Sequence, residues 1–354
     1  MKIASFFSGA GGLDLGFTNV GFELSFANDN WEGCWKTFEK NHGIEINKKS
    51  IVELKLEEIP DVIGFVGGPP CQSWSLAGSM RGINDSRGRL FYDYINLIKD
   101  KQPLFFLAEN VAGILSPKHY SEFMKIIDAF KSIGYNVSYR LLDAQNFNVP
   151  QERKRVIIVG YHQKMGKKFE FPEANPSKLV LKDAVGDLPE PTRASERNKT
   201  NGSKIPVPNH EYMNGGFSTI YMSRNRVRNW DEPSFTIQAG GRHAPIHPQA
   251  PKMKFINQNV REFVKGKEHL YRRLSVRECA RIQTFPDDFI FYYEDVADGY
   301  KMIGNAVPVK LAEAIAEAIM NDLKHMEKQT EFSVELKKNF NVLRNSQNIP
   351  VYQN

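Results

Sequence analysis

Cysteine is scarce in this chain: Cys34, Cys71 and Cys279 are the only three in 354 residues. They are too few and too scattered for a disulfide framework or a zinc site, so no metal is expected. Such a chain suits a reducing compartment, which keeps a working thiol free, and a cytoplasmic location is the expectation. No apolar run approaches the ~20 residues of a membrane-spanning helix. The opening Met1-Lys2-Ile3-Ala4-Ser5-Phe6 lacks a signal-peptide layout, so no membrane partner is expected. Internal repeats and low-complexity tracts are absent as well. What remains is globular: 41% hydrophobic and 12% aromatic residues, with length for one large or two ordinary domains. A net charge of +6 permits a polyanionic partner without requiring one. Arginines cluster at 153 and 155, at 224, 226 and 228, and at 272, 273 and 277.

The first 160 residues alternate short apolar runs with helical patterns. Strands are expected at 3–7, 24–27, 62–66, 104–107 and 156–159, with helices at 31–41, 91–99 and 121–133. This alternation predicts an α/β fold, a doubly wound and mostly parallel sheet covered by helices on both faces. From Phe171 to about Asn209 the chain turns Pro-, Asn- and Lys-rich, which marks a boundary or hinge. The division expected is 1–165, a smaller irregular β-leaning unit at 166–270, a return segment at 271–325, and a polar, loosely held tail at 326–354. Ser275-Val276-Arg277-Glu278 reads as a capping box, and Leu311, Ala314, Ile315, Ala318, Ile319 and Leu323 as the apolar face of a late helix.

Gly67-Gly68-Pro69-Pro70-Cys71-Gln72 ends the apolar run 62–66. Pro-Pro can continue neither a strand ladder nor a helix, so the thiol is presented rigidly at the mouth of a sheet, where α/β enzymes hold ligands. A plain loop cysteine is the commoner meaning of so short a motif. Phe7-Ser8-Gly9-Ala10-Gly11-Gly12-Leu13-Asp14-Leu15-Gly16 follows the first strand, and its glycines let backbone N–H groups approach a ligand at a helix start. A dinucleotide fingerprint would want glycine at Asp14. A carboxylate there suits a cationic ligand such as a sulfonium with an α-amino group, although a simple tight turn is as good a reading. Asn28-Asp29 closes the second strand, where an acid binds ribose hydroxyls or caps the next helix. These features describe an adenosine cofactor lacking pyrophosphate, of which S-adenosylmethionine is the simplest. Glu109 follows the strand 104–107 at the same end of the sheet as Cys71, although a helix-start carboxylate is as good a reading. Gln151, Arg153 and Arg155 would share one strand face, or form a solvated charged entrance.

These segments, with Glu109-Asn110-Val111, residues 273–286 and Gly304-Asn305-Ala306-Val307-Pro308, occur in the order seen in bacterial DNA cytosine-5 methyltransferases. The resemblance covers roughly residues 1–325, and residues 219–238, including Ser223 to Arg228, further resemble the target-recognition region of GGCC-specific members. It implies the Rossmann-like S-adenosylmethionine-dependent methyltransferase fold, with 166–270 as target-recognition domain. Cys71 looks like the nucleophile for cytosine C6. Glu109 would meet the N3 and N4 edge, with a pKa raised by burial. Arg155 would stabilise charge on O2, with Arg153 among the catalytic residues. The donor site would comprise Phe7, Ser8, Gly9, Ala10, Gly11, Gly12, Leu13, Asp29, Asn30, Ser50, Ile51, Pro69, Leu90, Asn305 and Ala306. The DNA contacts implied are Gln72, Ser75, Arg87, Ile220, Arg224, Arg226, Arg228 and Arg242, with Ser75 to Gly88 as a loop that closes over a flipped base. Each of these arginines could touch phosphate instead of a base edge. The implied setting is double-stranded DNA as partner, a monomeric enzyme, and a cognate restriction endonuclease without a stable complex.

One departure concerns the end of the third strand, where relatives often carry an acid before the residue that packs on adenine. Here Ser50-Ile51 stands in that place, and a hydroxyl is a weaker neutral acceptor. Two rival readings remain. A nucleotide-dependent oxidoreductase would leave Cys71, Glu109 and 151–155 without a use. A DNA-binding protein or RNA-directed relative would not need Cys71 for methyl transfer to duplex DNA.

Overall fold

The computed structural model describes residues 1–70, 86–175 and 178–328, with only the backbone at 86–88 and 327–328. Cys71, Gln72 and Ser75 lie outside the described residues, as does most of the loop expected at 75–88, and the Arg87 side chain is likewise not described.

The first half of the chain runs β1 (Lys2–Phe6), α1 (Gly12–Val20), β2 (Glu23–Asn28), α2 (Glu32–His42), β3 (Gly64–Gly67), α3 (Ser86–Lys101), β4 (Phe105–Val111), α4 (Tyr120–Ser132), β5 (Tyr135–Asp143) and β6 (Lys154–His162). They form a six-stranded sheet in the order β2-β1-β3-β4-β6-β5. The pairs among β2, β1, β3 and β4 are parallel, whereas β6 runs antiparallel to both β4 and β5. The doubly wound α/β expectation therefore holds, with an antiparallel outer pair. β5 was not anticipated. It is an edge strand whose Ser138, Arg140 and Asp143 interrupt the apolar pattern, and its Tyr139, Arg140 and Leu141 are exposed.

Helices cover both faces. Phe91, Tyr94, Ile98, Phe123, Ile126 and Phe130 from α3 and α4 pack on Phe6, Phe65 and Phe106. On the other face, Leu13 and Phe17 of α1 meet the last helix, α8 (Val309–Lys328), through Leu311, Ala312, Ile315, Ile319 and Leu323. The contact is close: a Cβ on Gly16 would stand 2.4 Å from that of Ala312. The inward stripe of α8 includes Ala312 and Ala316, fully buried, while Ala314 and Ala318 lie at its margin. The helix also outlasts the expected boundary, since Met326 is still buried in the sheet core.

Residues 171–175 and 178–270 are irregular, with α5 (Leu181–Val185), β7 (Thr192–Arg193), β8 (Glu211–Tyr212) and the hairpin β9 (Lys254–Asn257) and β10 (Val260–Glu262). Next come α6 (Val276–Ile282) and α7 (Val296–Asn305), and the capping box opens α6 as expected: Ser275 Oγ accepts from the Glu278 amide at 3.0 Å. Leu181, Val185, Ile237 and Ala244 share a core with Leu274, Val276, Ile282, Tyr300 and Ile303. Packing thus joins α6 and α7 to the irregular segment, and the return to the sheet core begins only at Val307.

Candidate active site

The carboxyl ends of β1 to β4 and the start of β6 converge at one edge of the sheet. After β1 the chain turns through Phe7 and Gly9, with φ of 55° and 56°, and Gly11, with φ of 86°. This left-handed backbone costs glycine little, while Phe7 holds it at the expense of strain. Asp29, just beyond β2, fastens the turn: Oδ2 accepts from Gly9 N and Oδ1 from Trp31 N, both at 2.8 Å. Burial raises the Asp29 pKa, and these two N–H donors oppose the rise. His42 closes the back of the turn, so close that a Cβ on Gly11 would meet its Nε2 at 1.9 Å. Burial lowers the His42 pKa to about 4, and the ring is neutral at physiological pH. Gly12 is equally constrained, because a Cβ there would stand 2.5 Å from Val307 O and 3.2 Å from Ala306 Cβ. The loop 305–307 therefore lies directly against the glycine turn, with Asn305 exposed.

Asp14, in the first turn of α1, is fully buried, and neither carboxylate oxygen has a hydrogen-bond partner among the described residues. Burial raises its pKa to about 7; the nearby Ser5 hydroxyl, outside good hydrogen-bond geometry, favours the charged form. An unpaired buried carboxylate beneath an N–H-rich turn fits a cationic ligand and does not fit a pyrophosphate.

Beside β2 the third strand that was expected is reduced to a single parallel bridge, Asn28 to Asn47. The Asn28 side chain donates to the carbonyls of Asn47 and Lys49 and so sets the approach to Ser50-Ile51. Ser50 caps the short turn 51–53, and its N donates to the Glu53 side chain at 2.9 Å. Ile51 is buried in the apolar cluster that Phe7 and Leu90 border, so three expected donor-site residues come together, whereas Asn30 is exposed.

At the end of β4, Glu109 Oε1 lies 2.7 Å from Arg155 Nε, with both side chains about nine-tenths buried. The sheet register explains the pairing: Val111 sits opposite Arg155 and Glu109 opposite Ile157, so the two are diagonal neighbours on one face. A Cβ on Gly68 would stand 3.4 Å from Glu109 Oε2, so glycine leaves that oxygen uncovered. The buried Asn110 donates to Pro69 O at 3.2 Å and anchors the Pro-Pro segment that leads to Cys71. The sequence gives no sign of that contact, because the partners are 41 residues apart. Cys34 and Cys279 are buried, and burial pushes both thiols above the ordinary range.

Arg153 and Gln151 do not face this edge. Arg153 Nη1 donates to Ile237 O, and its Nη2 to Gly304 O and Ala306 O, at 2.8 to 2.9 Å. Gln151 donates to Gln283 Oε1 and accepts from Ile237 N. The expected catalytic Arg153 is thus a buried clasp that holds 237 and 304–306 against the start of β6. Gln283, which completes the clasp through Ile303 O, was not anticipated.

Ile220 is 75% exposed, and Arg224 and Arg242 are exposed on the irregular segment. Arg226 is half held, by Tyr221 O and the Tyr221 ring. Arg228, expected at the DNA, is instead spoken for by Glu152 and Glu232 and lies 4.2 Å from the Phe235 ring centre. The cluster at 272–277 is structural as well: Arg272 pairs with Glu278, Arg273 with the carbonyls of Gly215 and Gly216, and Arg277 with those of Pro208 and Phe289. Among the described residues no group of side chains could hold a metal ion, and no helix is long and apolar enough to cross a membrane.

Comparison with known proteins adds three findings. Residues 1–321 match the family described as C-5 cytosine-specific DNA methylase. The type II methyltransferase M.MthTI of Methanothermobacter thermautotrophicus is 65% identical over 92% of this chain and 98% of its own, and M.FnuDI of Fusobacterium nucleatum is 53% identical over 93% and 96%. Among solved structures, the Entamoeba histolytica methyltransferase EhMeth superposes with a TM-score of 0.64 at 17% identity over 91% and 98% of the chains. The S. pombe Dnmt2 methyltransferase gives 0.61 at 17% identity, over 91% and 99%.

Proposed function

The chain belongs to the C-5 cytosine-specific DNA methylase family and is a DNA cytosine-5 methyltransferase like its type II relatives, and from that premise we propose that it methylates a flipped-out cytosine within GGCC through a covalent bond from Cys71 to C6. The observation that carries this reading is the Glu109–Arg155 pair beside the anchored Pro69 carbonyl. Cytosine C5 is a poor nucleophile while the ring is aromatic. Attack of the Cys71 thiolate on C6 breaks the 5,6 double bond and moves an electron pair toward N3 and O2. Glu109 delivers a proton at N3, and the Arg155 guanidinium meets the charge on O2. C5 is then enamine-like. Bound S-adenosylmethionine supplies an electrophilic methyl group. Loss of the C5 proton to a base, departure of the thiolate and return of the N3 proton to Glu109 restore the ring. Because C5 and C6 are stacked inside a duplex, the base must first leave it, at a cost of a few kcal/mol.

The donor would sit beside the junction of the glycine turn and the 305–307 loop, with its ammonium or sulfonium charge answered by Asp14 and its adenosine among Phe7, Ser50, Ile51 and Leu90. Leu13, Asp29, Asn30 and Pro69 would border it. GGCC is supported by the likeness of residues 219–238 and by exposed arginines, since arginine reads guanine O6 and N7 and the word holds only G·C pairs. Ile220, Arg224 and Arg242 are the readers; Arg226 and Arg228 brace them, and Arg153 acts as a positioning residue. We propose residues 1–165 with α8 as the catalytic unit and 166–306 as the recognition unit. The enzyme acts as a monomer, alongside an endonuclease that cuts the same word without binding it stably.

Bisulfite sequencing of plasmid DNA from cells expressing the chain tests this reading. Protection confined to one cytosine of GGCC is expected. Methylation at another word would overturn the specificity, and its absence from cells holding folded protein would overturn the mechanism too. Ser50→Asp is expected to tighten S-adenosylmethionine binding about five- to tenfold, because a charged acceptor forms a hydrogen bond roughly twice as strong as a neutral one. Titration calorimetry showing equal or weaker binding would count against Ser50 at the adenine edge.

A further inference from the structure

The proposed chemistry leaves the β9–β10 hairpin unused. Phe255 is 62% exposed, Ile256 42% and Val260 39%. Consecutive strand residues point to opposite faces, so Phe255 and Ile256 leave apolar surface on both sides of the ribbon. A two-stranded ribbon open on both faces is marginal by itself. This one is held at its base: Phe263, just past β10, meets the Phe217 ring edge-on at 5.2 Å and stacks on Tyr271 at 4.1 Å. β10 also lies against the short turn Tyr221–Ser223, which Ile220 precedes and Arg224 follows. The surroundings are cationic. Residues 252–267 hold Lys252, Lys254, Arg261, Lys265 and Lys267 against the single carboxylate of Glu262. Lys252 is engaged by Glu232, and Arg261 covers the Phe255 ring at 4.3 Å, while Lys254, Lys265 and Lys267 are exposed.

We infer that this ribbon is a second DNA-contacting element, which lies on the duplex flanking the methylated word; the inference rests on the reading of Ile220 and Arg224 as DNA-facing. The ribbon continues that surface, and a two-stranded ribbon fits a major groove about 12 Å wide. Lysines are hydrated point charges that suit phosphates, so the contact adds affinity without reading sequence. Phe255 and Ile256 gain cover against deoxyribose. A second copy of the chain is a poorer occupant, since it would bring the same cations against these.

Fluorescence anisotropy with the full chain and GGCC duplexes of increasing flank length tests the inference. The parent should bind more tightly as the flanks lengthen by about one helical turn. In the triple variant Lys254→Gln, Lys265→Gln, Lys267→Gln that gain should disappear. Between about 50 and 200 mM salt the parent should lose roughly ten- to fortyfold more affinity than the variant, the expectation for two to three released counterions. Arg261 is spared because it braces the turn through the carbonyls of Asn257 and Val260. Phe255→Ser should weaken long-duplex binding severalfold with the salt slope unchanged, and turnover on the shortest duplex should match the parent in both variants. Equal flank and salt dependence in parent and triple variant overturns the inference, as does a parent dimer that the triple variant dissolves. A parent that neither binds nor methylates GGCC duplexes overturns the underlying reading instead.

Discussion

Cys71→Ser is expected to lower methyl transfer to a GGCC duplex by at least about 10⁴-fold, equivalent to more than about 5 kcal/mol at the transition state, while binding of donor and duplex stays near the parent level. A serine hydroxyl is hardly ionised at neutral pH, whereas an ordinary thiol is already a few per cent thiolate and more nucleophilic. No other cysteine can substitute: Cys34 and Cys279 are buried, and burial pushes both thiols up. The substitution should also leave the approach intact. Gly67 is paired with Phe6 and Ala108 in the sheet, and Asn110 holds the Pro69 carbonyl. A duplex with 5-fluorocytosine at the target has no C5 proton to lose, so it should trap the parent as an adduct stable to denaturing electrophoresis and fail to trap the variant. A Ser variant turning over at the parent rate would remove Cys71 as nucleophile.

The parts of this molecule legible in its sequence are those where a local pattern decides the structure. The buried strands β1, β3 and β4 read as mostly apolar runs because both of their faces are covered. β5 was missed for the converse reason, since an edge strand with one wet face keeps polar residues that blur the pattern. In the same way, the capping box at Ser275 is a matter of four adjacent residues. The Arg153 clasp depends on carbonyls 84, 151 and 153 residues away, which no periodicity encodes. The arginine clusters show the limit most clearly. Arg228 and Arg224 look alike in sequence, and only the fold brings Glu152 and Glu232 to one and leaves the other in solvent. The placement of Glu109 at the sheet edge was readable because residue type, strand end and chain order agree there. The reach of each arginine was not.

Asp14→Asn is expected to make the donor-free protein more stable than the parent at high pH, by an amount that shrinks as the pH falls, and to weaken S-adenosylmethionine binding. Burial holds Asp14 at about 7, against 3.8 in an open chain. Between those values the native protein binds a proton that the unfolded chain has released, so this group's contribution makes stability fall as pH rises. The cost is complete above about pH 7, on the order of 4 kcal/mol, and vanishes below about pH 4. His42 and His247 act with the opposite sign. Each is lowered from 6.5 to about 4 by burial, so each favours the native state above pH 6.5 and loses that contribution as pH falls toward 4. The parent's own pH profile therefore mixes the two effects, and the Asp14 contribution is read from the gap between parent and variant. An Asn amide without partners would shift that gap by about 1–3 kcal/mol at every pH but could not make it vary with pH. Denaturant melts at pH 5, 6, 7 and 8 measure it directly, and a gap that stays constant would show that Asp14 titrates normally. Donor binding should respond the other way: a cation that pairs with the carboxylate recovers the cost of burying it, so the variant should bind S-adenosylmethionine about 10- to 100-fold more weakly. Near pH 7 the parent should also release protons on binding, visible as a dependence of the calorimetric heat on the buffer's ionisation enthalpy, and the variant should not. A variant that binds the donor as tightly as the parent, with the same proton release, would place Asp14 outside the donor site and leave its burial to be explained by the packing of α1 alone.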